Sequence, residues 1–455
     1  MYSHEKYHFK EVGELIQKIK DLKLDVPVSE NLDILKSGCQ LRRGEIQNKM
    51  VIHPMEGCDG ELDGSPSELT FRRYKRFARG GAGLLWFEAT AVAPEGRANP
   101  RHLYIGRENV GTFKKMLDYS LKEGKKANGE EYKPYTVLQL THSGRYSRPI
   151  NVPAPIIAVN NPYLDKKEIQ HYHIITDEEL RGLEEAYVEA AILAKEAGFD
   201  AVDIKCCHRY LCSELLSAHT REGEYGGSFE NRTRFLLNII DKIKSRLEDT
   251  IGITVRLNVF DAISYPYGWG VDKADTNQYD LKEPIMLVKE LSKRGVEILN
   301  ISVGNPYYNP HVGRPYDLGP YVPKEHPLEA IDRLMRMAKN IQQQVPTIMV
   351  IGTGFSWLRK LGPHVAAGGI KDGCFRLVGF GRQSFAYPDF ARDILEKNQF
   401  DEKRCCIACS KCTEIMRDGG RTGCVIHDQE IYMDIYKAGR KDKPSLVGTH
   451  EADHI

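Results

Sequence analysis

Lys205, His208 and Tyr210 stand at i, i+3 and i+5, just where a short apolar run from Ala201 to Ile204 gives out. An ammonium, an imidazole and a phenol at a strand end are hydrogen-bonding groups placed where an enzyme can hold a polarised substrate. Without further context the same residues also suit a solvated lysine, a core histidine and a packing tyrosine. Nearer the C-terminus, Cys406, Cys409, Cys412 and Cys424 spell C-x2-C-x2-C-x11-C. Four soft thiolates that converge satisfy a [4Fe–4S] cube, and structural zinc takes the same set. Cys405 reads as a bystander, and Cys58, Cys206, Cys207, Cys212 and Cys374 as small buried hydrophobes.

The balance of 64 basic against 63 acidic residues leaves a formal charge of +1, so no global field favours nucleic acid or an anionic membrane. With 41% hydrophobic residues and no apolar run near the roughly 18 needed to span a bilayer, the chain is expected to bury a large core in water. The opening MYSHEKYHFKEVGELIQKIK lacks the apolar stretch of a secretory signal, which makes the cytoplasm the expected compartment. Five of the eleven cysteines crowd between 405 and 424. In a reducing compartment that crowding reads as metal ligation.

The elements that must position these groups begin after residues 1–45, which read as a helix over Phe9–Leu22 and a connecting segment. Apolar runs at Lys49–His53, Gly83–Glu88, Tyr135–Leu140, Ala201–Ile204, Gly252–Leu257, Glu297–Ile301, Thr347–Ile351 and Gly373–Val378 are eight candidate strands. Segments of helical period separate them; Asp177–Ala197 carries Leu180, Leu183, Tyr187, Ala190 and Ala194 on one face. Ser228 is the expected N-cap of a helix over Glu230–Ile243. This alternation over 46–398 predicts an α/β fold, a closed (β/α)8 TIM barrel, with residues 399–455 as a short cysteine-rich cluster-binding extension.

The active site of such a barrel lies at the C-terminal strand ends, and those ends carry the small or polar residues. They are Pro54-Met55-Glu56, Ala89-Thr90, Gln139 with His142, the Lys205 group, Arg256, Gly304, Gly352-Thr353-Gly354 and Gly379-Phe380-Gly381-Arg382. The last two have glycines that let backbone N–H groups approach a phosphate. Long aromatic loops follow the fifth and sixth strands, with Tyr265 and Trp269 in one and Tyr307-Tyr308 in the other. They suit a substrate lid, loop packing or a subunit contact.

These residues resemble the old yellow enzyme family of NADH:flavin oxidoreductases. The resemblance covers roughly residues 45–395 and rests on NKMVIHPMEG (48–57), GGAGLLWFEATAVAPEGR (80–97), QLTHSGR (139–145), the 201–235 stretch and VGFGRQSFAYPDF (378–390). It implies non-covalent FMN across the strand ends and hydride transfer to the β-carbon of a polarised alkene. On that pattern Pro54, Met55, Glu56 and Ala89 would line the isoalloxazine, Gln139 would bond its pyrimidine edge, and Arg256 would sit near N1 and O2. Gly354, Gly381 and Arg382 would cradle the phosphate. Lys205 and His208 would hold the substrate oxygen, Tyr210 would be the proton donor, and His142, Tyr265 and Trp269 are candidate substrate contacts. The chain departs from the pattern at Lys205, where the family commonly has His, and at Glu56, where it often has Thr or Cys. With Cys406, Cys409, Cys412 and Cys424 the chain is similar to the iron–sulfur subgroup that includes 2,4-dienoyl-CoA reductase and trimethylamine dehydrogenase.

The implied function is an FMN- and [4Fe–4S]-dependent ene-reductase acting on an α,β-unsaturated carbonyl, acid or thioester. Two alternatives are an amine dehydrogenase of the trimethylamine dehydrogenase type and an electron-transfer subunit. Only 31 residues follow Cys424, so no Rossmann domain is expected. Electrons would then come from NADH or NADPH at the barrel mouth, or from a flavoprotein or ferredoxin through the cluster. Further copies of the chain are the remaining partner class.

Overall fold

The computed structural model describes residues 3–169, 171–441 and 443. Eight parallel strands close a barrel: β1 (Met50–Ile52), β2 (Leu84–Ala91), β3 (Tyr135–Thr141), β4 (Ala201–Cys206), β5 (Gly252–Asn258), β6 (Ile298–Ser302), β7 (Met349–Gly352) and β8 (Leu377–Phe380). They are hydrogen-bonded in sequence order, with β8 returning to β1. The eight expected strands are therefore the eight observed. The last starts later than read, because Gly373 at φ +69° ends the preceding helix and 373–376 form the connection. The helix expected over Asp177–Ala197 has those bounds. Ser228 caps Phe229–Leu247 by accepting from the Asn231 N–H at 3.3 Å, and the first helix is Val12–Asp21.

Alternation along each strand sorts side chains into two cores. Leu84 and Trp86 of β2 pack inside the barrel with Val137, Ala201, Ile298 and Ile351. Leu85 and Phe87 face outward to the helical ring, as do Leu138 and Val202. The inner core fills the N-terminal half of the barrel. There it meets Leu41 and Ile46 from the antiparallel pair Cys39–Gln40 and Glu45–Ile46. One end of the barrel is thus plugged with apolar residues and the other is left to polar ones.

The C-terminal extension folds back against the β1 end. Thr422 N–H donates to the Gly57 carbonyl at 2.6 Å, and Asp428 accepts two bonds from Arg72 at 2.7 and 2.8 Å. Beneath this contact Arg73 forks to Asp59 at 2.6 and 2.8 Å and also donates to Glu88. Glu88 in turn accepts from the Gly57 N–H at 2.7 Å, and all three side chains are buried. Replacing Arg73 by Met leaves two carboxylates facing each other in the dry interior. We expect a loss of about 3–5 kcal/mol, read as a lowered urea midpoint; an unchanged midpoint would show that the triad does not hold this loop.

Candidate active site

Because successive side chains alternate, the row that is apolar at the bottom of each strand continues as a polar row at the top. From Ala201 it runs to Asp203 and Lys205, from Val137 to Gln139, from Val51 to His53 and from Ile298 to Asn300 and Ser302. His53, Gln139, Lys205, Arg256 and Ser302 all line one cavity at the C-terminal end of the barrel, with Pro54, Met55, Glu56, His208 and Tyr210. Gly354, Gly381 and Arg382 line it too.

The Lys205 ammonium donates to Glu56 Oε1 at 2.9 Å, joining the ends of β4 and β1 across the mouth. It also lies 3.7 Å from the centroid of the Tyr210 ring, within reach of a cation–π attraction. Tyr210 O–H donates to the same carboxylate oxygen at 3.3 Å. Burial alone would raise the Glu56 carboxyl, but the Lys205 charge and these hydrogen bonds hold it below the ordinary range. Burial, and then the Glu56 charge, push the Tyr210 phenol well up, so it keeps its proton. Burial, then the charges of Arg256 and Lys205, push His208 well below the usual imidazole range. It is a neutral ring, held at φ +63°.

Below this group sits Asp203, which the sequence reading passed over. Its carboxylate accepts from Gln139 Nε2 at 2.6 Å, Trp86 Nε1 at 3.0 Å and the Arg256 backbone N–H at 2.6 Å. The Gln139 amide is thereby turned so that its N–H2 faces Asp203 and its oxygen is left for the cavity. His53, also unremarked in the sequence, accepts at Nδ1 from the Asn300 amide at 3.0 Å and donates from Nε2 to Thr353 at 3.1 Å.

At the other end of the cavity lie Arg314, Arg382 and Arg417. Arg382 donates one N–H to the Pro315 carbonyl at 2.6 Å, and its Nη1 is buried with no protein partner. Arg314 donates to the Thr413 hydroxyl and leaves Nε and Nη2 in the same condition; burial and the Arg382 charge push it down to about 10. Buried guanidinium N–H groups without acceptors call for an anion. Gly381 leaves the wall open beside them, since a Cβ there would meet Met55 Sδ at 3.1 Å. The donor set and the open wall fit the phosphate of FMN, and the unpartnered Nε of Arg256 fits its oxygen-bearing edge. No periodic pattern in the loop after β6 marks Arg314 in the sequence.

Other expected residues are not brought to this cavity. Ala89 lies in β2 at a register shift between Phe87 and Thr90, and its carbonyl accepts from His102 at 2.9 Å. His142 is buried outside the lining, accepts from the Gly144 N–H at 3.1 Å and is pushed down to about 4 by burial. Trp269 is buried with its indole N–H on the Asn258 carbonyl at 2.9 Å. Tyr265 is exposed and packs edge-on to His219. Of the aromatic loops, it is Tyr307 that reaches the cavity.

Cys406, Cys409, Cys412 and Cys424 line a second, smaller cavity together with Arg382 and Phe385. Among the described residues no group of three or more His, Cys, Asp or Glu side chains closes on a single ion; the four thiols line a shared space. Backbone N–H groups of Ala408 and His427 donate to the sulfurs of Cys406 and Cys424 at 3.4 and 3.3 Å. Cys405 stands apart, its thiol on the Asp401 carbonyl at 3.4 Å. Arg382, Phe385 and Cys412 belong to the walls of both cavities.

The fold and the mouth thus define a parallel barrel with a polar C-terminal cavity that can take an anionic ligand beside Arg314 and Arg382. The chain belongs to the NADH:flavin oxidoreductase / NADH oxidase family, whose model matches residues 39–401, and is a flavin-dependent oxidoreductase. It is 30% identical over 263 residues to an NADPH dehydrogenase of Bacillus pumilus, covering 57% of this chain and 70% of that protein. It is 32% identical over 277 residues to one from Geobacillus, covering 60% and 73%. A 2-naphthoyl-CoA reductase shares the fold at a TM-score of 0.72 and 18% identity, covering 89% of this chain and 58% of that one. Histamine dehydrogenase from Rhizobium sp. 4-9 does so at 0.66 and 19%, with 88% and 53% covered. An old yellow enzyme homologue from Zymomonas mobilis follows at 0.59 and 20%, with 80% and 92% covered. The chain thus spans little more than half of the first two of these solved chains.

Burial raises Asp203 to about 6, against the lowering effect of its three donors. Its folded pKa lies above the unfolded value of about 3.9, so the native state binds more protons between these values and loses stability as pH rises through them. The loss is on the order of 3 kcal/mol. Asp203→Asn carries a pH-independent penalty for its misplaced amide but not this loss. We therefore expect the stability gap between variant and wild type to narrow in urea titrations from pH 4 to pH 7; a constant gap would refute the shift.

Proposed function

We propose that the chain is an FMN- and [4Fe–4S]-dependent ene-reductase that reduces a C=C bond conjugated to a carbonyl, as in an enone, an unsaturated acid or a thioester. The observation that supports this most is the convergence of Lys205, His208 and a protonated Tyr210 on one side of the cavity. FMN, when bound and reduced, supplies the hydride. Lys205 and the neutral His208 orient the substrate's carbonyl oxygen by hydrogen bonds, and Tyr210 O–H delivers a proton to the α-carbon. The ammonium on the Tyr210 ring face favours the phenolate that this leaves behind. Lys205 and Glu56 balance one another, while Arg256 and Arg314 leave positive charge facing His208, which also suits the carboxylate of an unsaturated acid. An alkylammonium would meet the Lys205 cation instead of an aromatic cage, for Tyr265 and Trp269 lie elsewhere, and this argues against amine oxidation.

NADH or NADPH entering at the barrel mouth is the donor the family favours. The cysteine set supports a [4Fe–4S] cube held by Cys406, Cys409, Cys412 and Cys424, which supplies one-electron exchange with a partner flavoprotein or ferredoxin. Its shared wall with the main cavity makes such a route short.

Anaerobic stopped-flow oxidation of the pre-reduced holoenzyme by cyclohexenone tests the reading. Tyr210→Phe should slow it by about 10²–10⁴; an unchanged rate would remove Tyr210 as the acid. For the cluster, Cys412→Ser should abolish the broad visible absorbance and most of the bound iron, whereas zinc without iron in the wild type would overturn the assignment.

A further inference from the structure

Tyr210 is 2% exposed and lines the cavity, so while product fills that cavity a phenolate formed there has no direct route to bulk water. Its hydroxyl has two partners: Glu56 Oε1 at 3.3 Å and the hydroxyl of Tyr307 at 3.2 Å. Glu56 is an acceptor only, held as a carboxylate by Lys205, and it receives the Tyr210 proton in that bond. The second bond therefore runs from Tyr307 O–H to the Tyr210 oxygen. Tyr307 is 38% exposed and lines the same cavity.

Its position is set from two sides. The Asn305 side chain accepts from the Tyr307 backbone N–H at 2.9 Å and donates to the Tyr146 hydroxyl at 3.1 Å. The Tyr146 ring stacks on that of Tyr307 at 3.9 Å and 28°. Lys205 is not a competing donor, because its ammonium lies over the ring face and is engaged by Glu56.

We propose that Tyr307 is the relay that returns a proton from solvent to Tyr210 after each turnover, a role that rests on the reading of Tyr210 as the acid. In the substrate step the Tyr210 O–H bond breaks and a C–H bond forms at the α-carbon, while the hydride reaches the β-carbon. The Tyr307 O–H bond then breaks as the Tyr210 O–H bond re-forms, and Tyr307 takes a proton from water. One solvent proton passes through the relay per alkene reduced. Asn305 and Tyr146 act as positioning residues for the relay.

The test compares single-turnover and steady-state reduction of cyclohexenone by the FMN-loaded holoenzyme, with reduced methyl viologen as saturating electron donor. The first turnover uses the proton already on Tyr210. In Tyr307→Phe, kcat should therefore fall on the order of tenfold or more beyond any change in the single-turnover rate. Imidazole buffer should restore kcat by protonating Tyr210 from the mouth, and Tyr307→His should restore it without added buffer acid. An unchanged kcat, or an equal fall in both rates that buffer does not rescue, overturns the relay. Tyr210→Phe run alongside separates the two ideas. If it leaves the single-turnover rate intact, the acid itself is misassigned; if it slows that rate while Tyr307→Phe leaves kcat unchanged, only the relay fails.

Discussion

Barrel closure constrains everything else in this protein. A parallel strand that is bonded on both sides has one inward and one outward row, and a slip of one residue exchanges them. The inward row here is apolar over the lower half and polar over the upper half of the same strands. Trp86 and Val137 pack where Asp203 and Gln139 begin, and the Trp86 indole N–H bonding to Asp203 joins the two halves. The rigid apolar plug is thus what holds the polar mouth in register.

Within that mouth, charge is arranged in two zones. Around Tyr210 the Lys205–Glu56 pair is internally balanced, and the field that remains at His208 comes from Arg256 and Arg314. Around Arg314 and Arg382 no carboxylate is paired with the guanidinium groups and three buried N–H groups lack protein acceptors, which favours an anion there. Asp203 ties β3 to β5 at the floor of the cavity by holding both Gln139 and the backbone of Arg256.

The cysteine extension is part of the barrel's mouth. Its anchor points, the Gly57 carbonyl and Arg72, belong to the segment that carries Glu56 and the helix behind it. Thr413, Met416 and Thr422 complete the wall of the main cavity. Folding of the extension and shaping of the substrate site are therefore coupled.

The sequence by itself determined the barrel, because period-two and period-3.6 patterns are local and eight of them in alternation admit few closures. It also determined the strand-end residues Lys205, Gln139, Arg256 and Glu56, and the grouping of four cysteines. Asp203 and His53 were legible in principle, since they share the inward parity of Lys205 and Val51. Tyr307 was legible only as one aromatic of the loop after the sixth strand, and Arg314 not at all, for the path of that long loop has no period and is set by contacts with Tyr146, Thr413 and the Asn305 turn. Residue type alone also pointed to His142 and Trp269 as substrate contacts. Only the tertiary structure places both outside the cavity lining, because a buried imidazole or indole needs a hydrogen-bond partner and each found one in the backbone.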